Sequence, residues 1–278
     1  MKERTLMSFD WAIKSILRQK DNFDILEGFL TDLLCEKIEI LDLLESESNK
    51  DSEYSKMNRV DLKAKDSLGR EIIIEIQNDP EPDYMERVYY GACKSLVDNM
   101  KEGYKYKNIK KIISISIVYF PMIEDSYLIK GEVQFKDMTK NNREIKLKSS
   151  QKVFADYYFI QPKGFEDKIS ALIDEWVFFF KHSSIKGDMK ATNMDKVGEK
   201  LDKLKMTPDE LRKYEYYQFN KTINDGVLQV KYDTGLEAGM KQGIEKGLQQ
   251  GVEQGKQLLI ENLRRNGMSE EDILKYTK

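Results

Sequence analysis

Two acids and an amide, Asp61, Glu75 and Gln77, are spaced so that a hairpin would bring them together. Between Arg59 and Gln77, two runs of β-forming residues flank Ser67-Leu68-Gly69. Glycine as the last residue of a three-residue loop suits the left-handed position of a type I turn with a bulge. With Asp66 opposite Arg70, Val60 faces Ile76, Leu62 faces Ile74 and Ala64 faces Ile72 on an apolar side. On the other side Asp61 faces Glu75. Directly opposed residues have Cβ atoms about 4.5–5.5 Å apart. Two carboxylates that close share a divalent cation, or one of them gives up its charge. Gln77, two residues on, points the same way. An amphipathic hairpin with a charged solvent face has the same pattern, so the rest of the chain must decide.

Composition narrows the chemistry. The single histidine, His182, has no companion, which removes hydrolases built on several histidines and histidine-activated nucleophiles. The cysteines, Cys35 and Cys93, fall in helical patterns; they are expected to be buried thiols and cannot frame a zinc site. Hydrolysis would therefore rest on carboxylates and an oxygen-loving metal. A net charge of −3 on a chain that is 34% charged leaves both signs dense on the surface, so a nucleic-acid site must be a local basic patch. The first residues lack the apolar core of a secretory leader, and no run approaches the ~20 apolar residues of a membrane helix. A cytoplasmic protein is the expectation. At 278 residues and 40% hydrophobic content, the chain can build one ordinary domain plus an appendage.

Periodicity supplies the elements that must position the hairpin. Ser8 can cap a helix with Phe9, Ile13, Ile16 and Leu17 on one side and Asp10 in its first turn; Phe23, Leu26, Leu30 and Leu33 continue at helical spacing. Ile38 to Leu44 reads as a strand, and Glu45 to Ser55 as a loop. After the hairpin, Asn78-Asp79-Pro80 stops the strand, and Tyr84 to Met100 forms a helix with Met85, Val88, Ala92, Leu96 and Met100 in phase. Arg87, Tyr90 and Lys94 share roughly one face of it, as phosphate contacts over the carboxylates or as a solvated face. Lys110 to Phe120 is apolar enough for a central strand. Residues 127–160 read as edge strands, with Lys136, Lys140, Arg143, Lys146, Lys148 and Lys152 either tracking phosphates or guarding an edge against aggregation. Pro162-Lys163-Gly164 precedes a core helix through Ile169, Leu172, Ile173, Trp176 and Phe180. This order implies an α/β domain, a mixed sheet covered by helices, ending near residue 185.

Beyond that point the composition changes. Ser183 to Lys190 reads as a linker and 194–232 as polar helices, with Thr207-Pro208-Asp209-Glu210 placing cap, proline and acids at one helix start. Gly235, Gly239, Gly243, Gly247, Gly251 and Gly255 then recur every four residues, with Leu236, Met240, Ile244, Leu248 and Val252 following the first five. Each glycine inside a helix costs about 0.5–1 kcal/mol relative to alanine, so something must offset the loss. Close approach of a second helix would do so, and a period of four, longer than about 3.6, favours right-handed wrapping. Glu237, Lys241, Glu245, Lys246 and Glu253 forbid a membrane span. A self-associating arm and a flexible arm both fit. The last piece, with Asn266-Gly267 closing one helix and Ser269-Glu270-Glu271-Asp272 capping another, is too short to read DNA alone.

Asp61 followed by Glu75-Ile76-Gln77 across a hairpin, with an acid on the first helix, is similar to the PD-(D/E)XK nuclease signature. The wider arrangement resembles the Rpn family of recombination-promoting nucleases, also called PD-(D/E)XK nuclease family transposases. The resemblance runs from Asp10-Trp11-Ala12-Ile13-Lys14 through Arg59-Val60-Asp61, Glu75-Ile76-Gln77, Arg87, Tyr89-Tyr90 and the Trp176 helix to the glycine repeat and Gly267-Met268-Ser269. It implies a restriction-endonuclease-like mixed β-sheet flanked by helices, with a helical C-terminal extension. Residues 1–185 would be the nuclease-like domain, 186–233 a helical connector, and 234–278 the repeat arm and a short helix.

The same resemblance implies metal-dependent DNA hydrolysis linked to recombination or mobile elements. Asp61, Glu75 and the Ile76 carbonyl would ligate Mg²⁺, with Mn²⁺ or Ca²⁺ as substitutes; Gln77 would orient the attacking water, and Asp10 would serve as an outer or second-metal ligand. Arg87, Lys94, Tyr90, Arg143, Lys146 and Lys148 would contact DNA, and the arm would build a homo-oligomer. Val60 stands where the signature has proline, and Gln77 where it has lysine; glutamine positions a group without neutralising charge. The alternative is a catalytically weak or inactive DNA-binding, self-associating regulator on the same fold.

Overall fold

A computed structural model describes residues 4–15, 17–44, 61–98, 100, 105–145 and 153–276. Contacts divide the chain into two compact units, Met1–Leu211 and Arg212–Lys278. The first unit begins with strand β1 (Arg4–Thr5), helices α1 (Phe9–Ser15) and α2 (Phe23–Leu34), and strand β2 (Ile40–Leu44). The hairpin strands β3 (Leu62–Asp66) and β4 (Glu71–Gln77) lead into α3 (Tyr84–Asp98) and β5 (Ile112–Val118). Strands β6 (Leu128–Gly131), β7 (Phe135–Asp137), β8 (Arg143–Ile145) and β9 (Asp156–Ile160) come next, then α4 (Leu172–His182), β10 (Ser184–Ile185) and α5 (Met194–Lys200).

The hairpin has the expected register, with Leu62 opposite Ile74 and Ala64 opposite Ile72; Val60 lies outside the described residues. Asp66 fastens the turn. Its Oδ1 accepts the amides of Leu68 (3.0 Å) and Arg70 (2.8 Å), and its Oδ2 accepts Arg70 Nε at 2.6 Å. Gly69 has a φ of 74°, the left-handed conformation that glycine adopts without strain. The hairpin belongs to a six-stranded sheet of order β2-β3-β4-β5-β9-β6. The strands β4, β5 and β9 run parallel, and the outer pairs are antiparallel. Helices cover this mixed sheet, the restriction-endonuclease-like α/β arrangement. Every residue of β5 is buried, as its apolar density requires.

Several sequence expectations are corrected. Of the two readings of the second hairpin face the solvated one fails: α3 lies over it, Ile73 packs with Ala92 and Ile112, and Glu71 is buried. Along α3 the buried stripe is Tyr84, Val88, Ala92 and Ser95, whereas Met85 is exposed. Cys35 and Cys93 are exposed rather than buried; Cys35 caps α2 in a left-handed turn, and Cys93 is one step round from the buried stripe. In the 127–160 region β6 is an edge of the six-stranded sheet and β7 and β8 pair in a separate two-stranded sheet, but β9 lies inside the six-stranded sheet. Ile169 and Leu172 are exposed, leaving Trp176, Phe179 and Phe180 to pack with Phe9 and Phe29.

The Ser183 to Lys190 stretch is not a free linker. β10 pairs with β1, and the amides of Lys190 and Ala191 donate to Glu175 Oε2. Just beyond, Thr192 and Trp176 Nε1 converge on the buried Asp32, at 2.7 Å, 2.8 Å and 2.9 Å. The approach is so close that a Cβ on Gly28 would stand 2.2 Å from the Thr192 carbonyl oxygen.

The helix α6 (Pro208–Arg265) begins at the predicted cap, where the Thr207 amide donates to Glu210 Oε2 (2.8 Å) and the Glu210 amide donates back to Thr207 Oγ1 (3.3 Å). From Arg212 onward α6 and α7 (Glu270–Tyr276) make the second unit. All six repeat glycines are inside α6, and a Cβ on any of them would meet no atom within 4 Å. Among the described residues no helix is long and apolar enough to cross a membrane.

Candidate active site

Pairing between β3 and β4 ends at Leu62 and Ile74, yet β4 runs on to Gln77. Asp61 takes over where the ladder stops: its Oδ2 accepts the Ile76 amide at 2.7 Å. A strand residue directs its N–H and C=O toward the same neighbour. The Ile76 carbonyl therefore faces the Asp61 edge. Arg18, from the turn after α1, donates to the main-chain oxygen of Asp61 at 2.6 Å and steadies this end.

Glu75 lies on the face under α3, where Arg87 Nη2 meets its Oε1 at 2.7 Å. The same guanidinium donates to Gln77 Oε1 (3.1 Å) and pairs through Nε with Glu81 (3.2 Å). It also stacks 5.2 Å above the Tyr84 ring. The Gln77 amide nitrogen donates to Glu81 (2.8 Å) and to the Asp79 carbonyl (3.0 Å). Gln77 thus holds Arg87 and Glu81 in place.

Burial pushes the Glu75 carboxyl up to about 7 despite its bond to Arg87, and the charges of Asp61 and Glu81 add to the rise. The ion pair does not win because Arg87 is divided among Glu75, Glu81 and the Gln77 amide oxygen. Burial likewise drives the Tyr84 phenol above its ordinary range.

Asp10 is fully buried in the first turn of α1, and its Oδ2 accepts Asn78 Nδ2 at 3.3 Å. Asn78 follows Gln77, so Asp10 reaches the same strand end. Among the described residues, however, no three or more His, Cys, Asp or Glu side chains converge as a ready metal cluster. Asp61 meets the Ile76 amide, and its charge, with that of Glu81, acts on the Glu75 carboxyl.

Of the basic and aromatic candidates, Arg87 alone contacts this group. Lys94 is two helical turns further along α3, roughly 10 Å away at 1.5 Å per residue. Tyr90 is exposed on the same helix. Arg143 is exposed on β8, in the separate hairpin, and Lys146 and Lys148 lie outside the described residues. The sequence reading missed Arg18, Glu81 and Asn78. Glu81 is four residues beyond Gln77 in the segment recognised only as a strand stop; Arg18 carries no local signal.

Residues 7–230 match the sequence profile of PD-(D/E)XK nuclease family transposases. The chain belongs to that family. No curated protein and no solved structure matches it. Membership gives this chain a nuclease-type function, and family members generally use divalent metal ions.

Proposed function

We propose that this chain hydrolyses DNA phosphodiester bonds at the Asp61 and Glu75 carboxylates, in recombination or mobile-element processes in the cytoplasm. The grouping of acids at the end of β4 carries the reading. Arg87 is shared by Glu75 and Glu81, and the charges of Asp61 and Glu81 both act on the half-buried Glu75 carboxyl, a grouping of acids that would attract a divalent cation. An all-oxygen donor set suits Mg²⁺, Mn²⁺ or Ca²⁺. Asp61, Glu75 and the Ile76 carbonyl would hold the ion, which when bound acidifies a water and polarises the phosphate.

The protein groups have their own parts. Arg87 supplies the positive charge that glutamine at 77 lacks, and its planar fork can take two phosphate oxygens at once. Gln77 positions that fork, then orients the attacking water once Arg87 turns to the phosphate. Asp10 supports the strand end through Asn78 as an outer ligand. Lys94, Tyr90 and Arg143, with Lys146 and Lys148, extend the DNA contact. The first unit carries the chemistry, and the 234–278 arm associates with a second copy through its exposed Leu236, Met240, Ile244, Leu248 and Val252.

Plasmid cleavage followed on agarose tests the reading. With Mg²⁺ or Mn²⁺, wild type should nick or linearise the plasmid, and Asp61→Ala and Glu75→Ala should lose the activity. Arg87→Lys should keep more of it than Arg87→Gln. If wild type and the carboxylate variants alike leave plasmid intact, the non-enzymatic regulator is the correct account. Gln77 in place of lysine is the observation that favours that second reading.

A further inference from the structure

At the opposite end of the same sheet face is a cavity of about 230 Å³ with no part in the site above. Its lining includes Lys65, Gly69, Glu71, Lys107, Asn108 and Lys110. Lys65 and Glu71 are cross-strand partners on the face that also carries Glu75. Glu71 is four residue steps along β4 from Glu75, about 13 Å at 3.3 Å per residue.

The electrostatics of this cavity are one-sided. Glu71 is its carboxylate, and that charge is already engaged by Lys63 Nζ at 3.2 Å and by the Ser95 hydroxyl. Lys65, Lys107 and Lys110 form no ion pair with any described residue. Two of them pass over the same loop: a Cβ placed on Gly69 would lie 3.8 Å from Lys110 Nζ and 3.8 Å from Lys65 Cε. The missing side chain of Gly69, fixed by the left-handed turn, is what leaves room above the loop. Like charges that line one cavity repel, and an anion among them relieves that repulsion. Lysine ammonium groups act as point-charge binders of phosphate.

We propose that the Lys65, Lys107 and Lys110 cavity binds a phosphoryl group carrying two or more negative charges. Three ammonium groups call for a di-anion at least, and Asn108 adds an amide donor at the rim. This assignment stands whether or not Asp61 and Glu75 hydrolyse DNA. The phosphoryl group has two possible sources, a free phosphorylated small molecule and the backbone of a bound nucleic-acid strand.

Isothermal titration calorimetry on the full chain, in chelator and at low salt, tests the site with inorganic pyrophosphate as the probe. Wild type should bind, and Lys65→Gln/Lys110→Gln should weaken binding at least tenfold, with Glu75→Gln unchanged. These lysines are exposed, so circular dichroism should show the double variant folded; the single Lys107→Gln variant, expected to weaken binding severalfold, is the second check. An unphosphorylated oligonucleotide titrated into the same variants identifies the source. Binding that falls with the lysines assigns the strand backbone; an affinity that stays constant while pyrophosphate binding falls assigns the small molecule. No binding of pyrophosphate to wild type, or equal binding to wild type and the double variant, overturns the proposal. Loss in Glu75→Gln alone would likewise overturn it, by moving the anion to the carboxylate end.

Discussion

Glu75 is held in its folded environment at about 7 against an ordinary 4.5, and Glu75→Gln isolates what that does to stability. The shift of about 2.5 units corresponds to about 3.4 kcal/mol at 1.36 kcal/mol per unit, and the effect expected in solution is 2 to 3 kcal/mol because the side chain keeps some water contact. The direction follows from proton binding. Between pH 4.5 and 7 the folded protein keeps a proton that the unfolded chain has released, so stability falls as pH rises through that window. Glutamine has no proton to lose and still offers Arg87 an oxygen. In chelator, wild type should therefore lose roughly 2 to 3 kcal/mol more than Glu75→Gln between pH 4.5 and 8. With a urea slope of about 2 kcal/mol per molar, that is roughly a 1 to 1.5 M larger drop in midpoint, readable by fluorescence of the buried Trp176. Mg²⁺ at 100 times its Kd should return about 2.7 kcal/mol to wild type at pH 8 and little to the variant. Midpoints that run parallel from pH 4.5 to 8 would refute the reasoning about Glu75.

Two further outcomes test the frame around the site. Gly28→Ala must move the Thr192 backbone or the Trp176 ring, which stand 2.2 Å and 3.1 Å from the added carbon. Overpacking of this kind costs about 1–3 kcal/mol, so melting should fall by several degrees in calorimetry, despite alanine's better helix propensity. For Asp174, burial would raise the carboxyl, but hydrogen bonds from Tyr127, Ser170 and Ala171 outweigh it and hold the group below 3.8. Such a carboxylate stabilises the fold above its unfolded pKa and loses that contribution as pH falls through the folded one. Asp174→Asn should thus be less stable than wild type at pH 7, with the difference shrinking below pH 3.8 in urea titrations.

The hairpin half of the site was legible because it is local. Gly69 sets the loop, the loop sets the register, and the register puts Asp61 beside the end of β4. The other half was not legible, because it depends on how α3 lies across the sheet. That placement half-buries the face and makes Arg87 a partner of Glu75 rather than a free phosphate clamp. Arg18 and Asn78 act through contacts 43 and 68 residues apart in sequence, beyond any periodicity. The same holds for Ser183 to Lys190, polar enough to read as a linker, and for the two residues after it. Their polar groups are bonded to Glu175 and Asp32, acids buried in helices that otherwise read as core.

The glycine arm can be argued further from its period alone. A straight helix turns about 100° per residue, so each four-residue step carries the glycine stripe about 40° round the axis. Across the five steps from Gly235 to Gly255 the stripe passes to the far side of α6, a drift of roughly 200°. A partner following it throughout would need a supercoil of about 54 Å pitch, several times tighter than the roughly 140–210 Å of two-stranded coiled coils. Association through this stripe must therefore be a right-handed crossing that uses neighbouring glycines near its centre, with the ends diverging. Replacing Gly243 and Gly247 by alanine should weaken self-association of the full chain in sedimentation velocity, while the same change at Gly235 and Gly255 should leave it intact and raise helix stability by about 0.5–1 kcal/mol per site. Equal effects at the centre and the ends would remove the crossing geometry.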